Sequence, residues 1–538
     1  MNAKKNIAAV IDVGSHETSL RIARLVRGSA PVLIDEVSRT IPVGVDTFTT
    51  GKISQVNLTQ IVDVLNDFKD KLKEYRVTTF RAFASSAFRE ATNGSYAIEQ
   101  IFIRTGIRVE ILSNSMDNKY IQIAVSEGLP GFAALADQGC VILVIGSGSI
   151  QLTLYHGGQY INSQHFRLGV LRVRELLGSL ERVSPDFNAL LAEYISGALN
   201  YYRAINSRQS DFQNLIVIGG SLRYMKYVAK WDLADGETIS TGDFLALLER
   251  LKTRERRILA RVAQIPTEHE SLLIPGGVVM EEVLAFTGVE KFYMPNLDLI
   301  DGVLFEMSHE YYRTKFIRDP YKNMEEAAHH LARRYRTDKF HVRHVQKLAE
   351  RLFDLTEKFH NLGVTERRYL SLAAILHNIG KYVSMYDDGI RAFNIINSAE
   401  LIGLDDAEKE MVALIACFHN GHVNYDEPML SRFTEAERIV ILKLTAILAV
   451  ANSLDAGHKQ KLEILSAKTA NDKFLLTVSA NRDATIENWN FSHHTALFAD
   501  LFGIVWCVLG FVVFWFCRKK YGDSGDGYLR KIFKKSFH

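Results

Sequence analysis

Glycine and serine alternate at one point of the chain in a way that suits an anion. The stretch "VILVIGSGSIQLTLY", residues 141–155, carries Gly146, Ser147, Gly148 and Ser149 between two apolar, β-branched runs. Glycine lets backbone N–H groups crowd round a phosphate and serine adds a hydroxyl, so the turn is a candidate phosphoryl-handling site. No residue from Val141 to Tyr155 carries a carboxylate. The stretch can grip phosphate, but it brings no acid of its own to hold a metal or activate water.

The same grammar opens the chain. "IAAVIDVGSHETSLRIARL", residues 7–25, is an apolar run, a turn with Gly14 and Ser15, then a second run. Two strand-turn-strand hairpins about 130 residues apart predict a duplicated α/β architecture whose turns face one another across a cleft. Between them, Ser54 is expected to cap a helix over "QVNLTQIVDVLNDFKDKLKEY", whose cationic end suits a helix C-terminus. "VTTFRAFASSAF" reads as a strand entering a small-residue turn before Arg89. "NLIVIGG" at 214–220 and "SLLIPGG" at 271–277 both read as buried strands ending in a glycine pair, the kind of strand end that lines ligand clefts.

From about residue 321, patterns such as "HVRHVQKLAERLFDLTEKF" and "RRYLSLAAILHNIGKYV" predict an all-helical domain. "LEILSAKTANDKFLLTVSA" then alternates like a hairpin. The resulting division gives lobes at 1–128 and 129–312, a helical domain at 320–460, a small α+β region at 461–500, and an apolar helix with a basic tail at 501–538.

The 538 residues are 47% hydrophobic and 23% charged, which is globular and too long for one core. A net charge of +2 leaves no broad electrostatic footprint for duplex nucleic acid. The 4 cysteines form no CxxC pair, so neither a zinc knuckle nor a disulfide framework is expected, and the reading is a reducing, cytoplasmic setting. The apolar run at the N-terminus stops at Asp12, too short for a secretory signal.

The C-terminus differs: "LFGIVWCVLGFVVFWFC", residues 501–517, is uncharged and followed by Arg518, Lys519 and Lys520. As a helix it would span about 26 Å against a hydrocarbon core of ~30 Å. A single crossing would send the basic tail outward, against the positive-inside tendency. The readings are membrane contact through 501–520 as a peripheral or monotopic anchor, a packing helix, or an altered reading frame.

Six stretches now carry a resemblance. "AVIDVGSHETSLRIARL", "AFASSAFREATNG", "VIGSGSIQL", "FRLGVLRVRELL", "IPGGVVMEEVL" and "LIDGVL" fall in the order of the exopolyphosphatase and guanosine pentaphosphate phosphatase family. "LAAILHNIGKYV", "FNIINSAELIGL" and "LAVANSLDAGH" resemble its HD-type helical domain, and the likeness covers about residues 7–503. The resemblance implies an α/β fold: a duplicated actin-like (ribonuclease-H-like) two-lobed domain, then an all-α HD-type domain and a small α+β region. It implies inorganic polyphosphate or guanosine penta- or tetraphosphate in the cleft, removal of a terminal phosphoryl group as orthophosphate, Mg²⁺, and a homodimer. Phosphoanhydride transfer needs little covalent help, so backbone donors, cations and an aimed nucleophile do most of it.

Carried over by position, Asp12, Gly14 and Ser15 match the first phosphate turn, with Asp12 the remaining acid for a weakly held Mg²⁺, while His16 and Glu17 stand where the family has Asn and Ser. Arg89 matches an arginine whose planar fork suits phosphate, its alternative being an ion pair with Glu90 or another acid. In the second turn Gly146, Gly148 and Ser149 match, but Val144 replaces a metal-associated acid, Ser147 a glycine and Gln151 a glutamate. Glutamine accepts a hydrogen bond but takes up no proton near neutral pH. Asp117 aligns with the water-orienting glutamate, one methylene shorter, and His269 stands for an arginine. Asp117 and Gln151 are thus the candidate catalytic pair.

HD phosphohydrolases hold a metal with a His, a His-Asp pair and a distant Asp. Here the counterparts read as His344, His377, Asn378 and Asn452, and neutral amides are poor ligands for a divalent transition metal, so these are expected to be metal-free remnants. Asp455 and His458 read as helix caps or braces. The leading function is a phosphoanhydride hydrolase in which Asp117 orients water. The rival is a catalytically impaired protein that senses polyphosphate or alarmone, favoured by Val144 and Gln151.

Overall fold

Alternation of apolar residues about each glycine turn builds the centres of two sheets. In the first, β1 (Ile7–Val13) pairs antiparallel with β2 (Glu17–Arg24), which pairs with β3 (Val32–Thr40), while β4 (Thr79–Ala84) and β5 (Glu110–Ile111) continue parallel on the other side, in the order β3-β2-β1-β4-β5. The period of two sends Ala9 and Ile11 to one face and Ala8 and Val10 to the other. The first face is covered by the helix Gln55–Glu74, whose N-terminus Ser54 caps by accepting from Asn57 N at 3.2 Å.

The second sheet repeats the plan. It runs β8 (Gln159–Phe166), β7 (Ile150–His156), β6 (Cys140–Ile145), β9 (Asn214–Ile218), β11 (Lys291–Tyr293), with the short β10 (Thr238–Ser240) added at the edge. β6 and β7 are antiparallel, β6 and β9 parallel, as β1 is to β2 and β4. The expected duplication is present. This computed structural model describes residues 6–184, 186–206, 212–232, 236–253, 256–470, 473–503 and 505–513, and the chain divides into two units at Ala327 and Ala328.

Two expectations within the first unit are corrected. "SLLIPGG" is not a strand: the helix Leu273–Thr287 runs through it. Pro275 sits in the first turn, where a missing N–H costs nothing. A Cβ on Gly276 would lie 2.7 Å from Ser221 Oγ and one on Gly277 2.3 Å from Leu248 Cδ1, so the glycines permit close helix packing. The helix Leu299–Tyr312, assigned by sequence to the lobe at 129–312, packs instead on the first sheet, with Ile300 and Val303 against Ala8 and Val10 and beside the helix Asn114–Gly128.

The second unit packs the helices Lys339–Leu355, Val364–Leu376, Asp406–Cys417 and Glu435–Ser453 around buried residues such as Leu370, Leu376, Ile415 and Ile447. β12 (Leu462–Ala470) and β13 (Lys473–Ala480) form the expected hairpin. The apolar helix expected from residue 501 is corrected: its residues 505–513 form β14 (Val505–Val513), parallel to β13, after a crossover through the helices Thr485–His493 and Ala496–Phe502. Among the described residues no helix is long and apolar enough to cross a membrane; the basic tail, 514–538, lies outside them.

Candidate functional site

The two glycine turns close by the same bond. Gly14 N donates to Glu17 O at 2.9 Å and Gly146 N to Ser149 O at 3.0 Å. Asp12 and Val144 each precede their glycine by two positions, so the repeat makes them counterparts. All the candidate turn residues, Gly14, Ser15, Gly146, Ser147, Gly148 and Ser149, line one cavity of about 320 Å³ with Asp12, Arg89, Asp117 and Gln151. The second turn lies hard against the first lobe: a Cβ on Gly148 would stand 2.2 Å from Ser86 Oγ. Ser15 Oγ lies 2.9 Å from Ser86 Oγ and accepts from Ala87 N at 3.1 Å, which ties the first turn to the helix Ser86–Glu90.

Asp117 stands in the first turn of the helix Asn114–Gly128, set there by Ser113, which accepts from Met116 N at 3.2 Å. Arg89 donates from Nη1 to Asp117 Oδ2 at 3.1 Å and also to Leu112 O. The alternative expected for Arg89, an ion pair, is thus formed with another acid, Asp117, and not with Glu90, which takes Arg172 at 2.6 Å. Asp117 Oδ1 is buried without a partner. Burial holds its carboxyl above the usual carboxylate range, against the pull of Arg89 and His165. Asp12 is pushed up to about 7 by burial and then by the charges of Asp117, Asp298 and Glu17.

Several residues of the site carried no role in the sequence. Arg172 Nε donates to Gly148 O at 2.6 Å while its guanidinium lies 4.0 Å from the Phe48 ring centre, so one side chain grips the second turn and, through Glu90, the first lobe. Asp298 caps the helix Leu299–Tyr312 and accepts from Arg21 at 2.7 and 3.0 Å. His165, Ser221 and Tyr224 also face the cavity. His16 and His269 meet edge to face at 5.0 Å, with Tyr224 at 4.5 Å from His269. Both His16 nitrogens are buried without partners, and burial lowers its pKa to about 4, which keeps the ring neutral.

Gln151 is 3% exposed and spends its amide nitrogen on Ser163 Oγ at 2.8 Å and Thr153 Oγ1 at 3.2 Å. For a divalent cation, the donor chemistry rests on Asp12 and the orphaned Asp117 Oδ1. That suits Mg²⁺, which binds through one or two carboxylates plus substrate oxygens. Among the described residues, no three His, Cys, Asp or Glu side chains form a group able to hold a metal by themselves.

In the second unit the HD-type remnants are corrected. His341, not His344, meets His377, Nε2 to Nε2 at 3.3 Å, and Asp455, not Asn452, binds His341 Nδ1 at 2.9 Å. His341 and His344 lie one turn apart on the same helix, and spacing alone does not say which faces inward. His377 Nδ1 donates to Ala374 O at 2.8 Å, and Asp455 also accepts from Lys459 N and Gln460 N. With Asp455 spent and Asn378 neutral, the residues do not fit a metal. His344 Nε2 and Asn378 Oδ1 are buried without partners, and Asn452 ends the helix Glu435–Ser453 half-buried.

Two like sheets, each with a glycine turn opening on a shared cavity, define an actin-like fold. The chain belongs to the Ppx/GppA phosphatase family: that family's model matches residues 22–311, and the model of Ppx/GppA phosphatase, domain III matches residues 324–495. It is similar to a guanosine-5'-triphosphate,3'-diphosphate pyrophosphatase of Photobacterium profundum, 22% identical over 487 residues that cover 88% of this chain and 91% of that one. It is also similar to the solved exopolyphosphatase of Cytophaga hutchinsonii, with a TM-score of 0.50 and 20% identity over 56% of this chain and 98% of that one. An Aquifex aeolicus member of the Ppx/GppA family follows at a TM-score of 0.45 and 18% identity over 57% of this chain and 99% of that one.

Proposed function

We propose that the cleft hydrolyses the terminal phosphoanhydride bond of inorganic polyphosphate or guanosine pentaphosphate and releases orthophosphate. The observation that carries this reading is Asp117: a half-buried carboxylate with one buried oxygen unpartnered, beside Arg89, in the cavity that both glycine turns line. Membership of a phosphatase family supports the reaction class, and the curated relative supports a guanosine alarmone as substrate.

In this reading the turns hold successive phosphates by backbone N–H groups. Water attacks the terminal phosphorus as the bridging P–O bond breaks, the electron pair leaves on the bridging oxygen, and Asp117 takes one water proton. A carboxyl held above its usual range is suited to that uptake. Arg89 offsets the charge that develops on the equatorial oxygens. Asp12 would hold Mg²⁺ in this cleft, where the ion would supply further positive charge to the phosphates. We read the protein as cytoplasmic from its scattered cysteines, and as a homodimer by likeness to the family.

A second reading, a binding protein that senses polyphosphate or alarmone, is favoured by one observation: Val144 and Gln151 bring no charge to the cleft floor. The two separate in one experiment. Purified protein with Mg²⁺ and either substrate is followed for orthophosphate. Release that falls about 10²- to 10⁴-fold in Asp117→Ala is expected. Release that survives Asp117→Ala overturns the assigned mechanism, and tight binding without release supports the sensor.

A further inference from the structure

Below Gln151 runs a chain of neutral side chains that ends beside Asp117. Gln151 Nε2 gives its two hydrogens to Ser163 Oγ and Thr153 Oγ1 at 2.8 and 3.2 Å. The Thr153 hydroxyl lies 3.0 Å from Ser163 Oγ and 3.5 Å from Asn118 Oδ1. Asn118 donates to Tyr160 OH at 3.0 Å and accepts from Gln122 Nε2 at 3.0 Å, and Tyr155 OH closes on Gln122 Oε1 at 2.9 Å. Every one of these groups is buried. Asn118 directly follows Asp117 on the same helix, so the chain joins the strand of Gln151 to the helix of Asp117.

Such a network has a direction. With both amide hydrogens committed inward, Oε1 is the atom the Gln151 amide has left to present to the cavity it lines. A glutamate at this position would reverse these bonds, accepting from the Ser163 and Thr153 hydroxyls. It would also bury a charge opposite Val144, which offers nothing to compensate it.

We propose that Ser163 and Thr153, backed by Asn118, are positioning residues that hold Gln151 Oε1 as an acceptor for one hydrogen of the attacking water while Asp117 receives the other. This rests on the hydrolase reading above. The water oxygen bonds to phosphorus as the bridging bond breaks; the proton that Asp117 takes leaves the site with solvent, and the hydrogen on Gln151 stays with the new orthophosphate. The cleft thereby works with an amide at 151, held by hydroxyls.

The test uses the full chain with Mg²⁺ and guanosine pentaphosphate or polyphosphate. Ser163→Ala and Thr153→Val are expected to lower kcat about 10- to 100-fold with KM within about twofold, because a displaced aiming group costs rate and not ground-state binding. Ser163→Thr, which keeps the hydroxyl, restores most of kcat. Gln151→Glu is expected to stay at or below the parent rate at every pH. Melting curves identify any variant that loses rate by unfolding, and the Ser163→Thr comparison then decides. A Ser163→Ala enzyme with unchanged kcat, in a protein whose release still depends on Asp117, overturns this inference alone. A parent protein that releases no orthophosphate overturns the hydrolase reading and this inference with it.

Discussion

Val144 and Gln151 are direct partners across the ladder between β6 and β7, Cα opposite Cα. The two positions at which the resemblance expects acids are therefore one place in the fold, and both are neutral in this chain. A lone carboxylate there would lack a counter-charge; two would form a cation seat.

The double variant Val144→Asp/Gln151→Glu is accordingly expected to differ from Gln151→Glu alone. It should reach half-maximal orthophosphate release at about tenfold lower Mg²⁺, because two carboxylates face the cation. Titration of Mg²⁺ against rate checks this, and an unchanged midpoint contradicts it.

Arg172 bonds the backbone of the second turn and Glu90 of the first lobe with one buried guanidinium. Arg172→Ala leaves Glu90 without its closest cation and is expected to cost about 2–3 kcal/mol. Urea unfolding measures the loss. Arg172→Lys, which cannot fork, should recover less than half of it.

Gly169 has no room for a side chain: a Cβ would stand 2.2 Å from Gly148 C and 2.3 Å from Ser149 N, both backbone. Gly169→Ala is expected to destabilise by about 1–3 kcal/mol and to disturb the second turn. At Gly197, on the helix Phe187–Asn206, an added Cβ would meet nothing within 4 Å. Gly197→Ala should stabilise by roughly 0.4–1 kcal/mol. Thermal melts of the two variants should move in opposite directions.

Burial lowers His16 and His330 from 6.5 to about 4, with Arg333 and Arg334 adding to the effect on His330, and pushes His377 well down. These rings gain a proton in the unfolded chain near 6.5 but stay neutral in the fold until lower pH. Their contribution to stability is complete above about pH 6.5 and is lost as pH falls from there toward 4, at up to ~1.4 kcal/mol per group per pH unit. Denaturant titrations at pH 7.5, 6 and 5 should show the decline, and His330→Gln should make it shallower.

Local pattern made much of this legible. β-branched alternation around Gly14 and Gly146 is a short-range signal, and it announced both hairpins, their duplication and the convergence of their turns. The Ser54 cap and the helices of the second unit were equally local. What escaped was set by distant partners. "SLLIPGG" reads as a strand end until Ser221 and Leu248 are seen to need glycine on a helix. His341 and His344 share a helix, and only Asp455 and His377 distinguish them. Arg172 is one cation among many until Gly148 and Glu90 come to either side of it. The apolar run after residue 501 has the composition of a helix anchor, but its neighbour in space is the edge of β13.

Asp12 and Val144 occupy matching places in the two halves of the repeat, and only one of them is acidic. A row of identical phosphates laid over both bends would meet a carboxylate at one bend and a hydrocarbon at the other. Its two termini would then be unlike for the protein although alike in themselves, so the ancestral symmetry has been turned into a sense of direction.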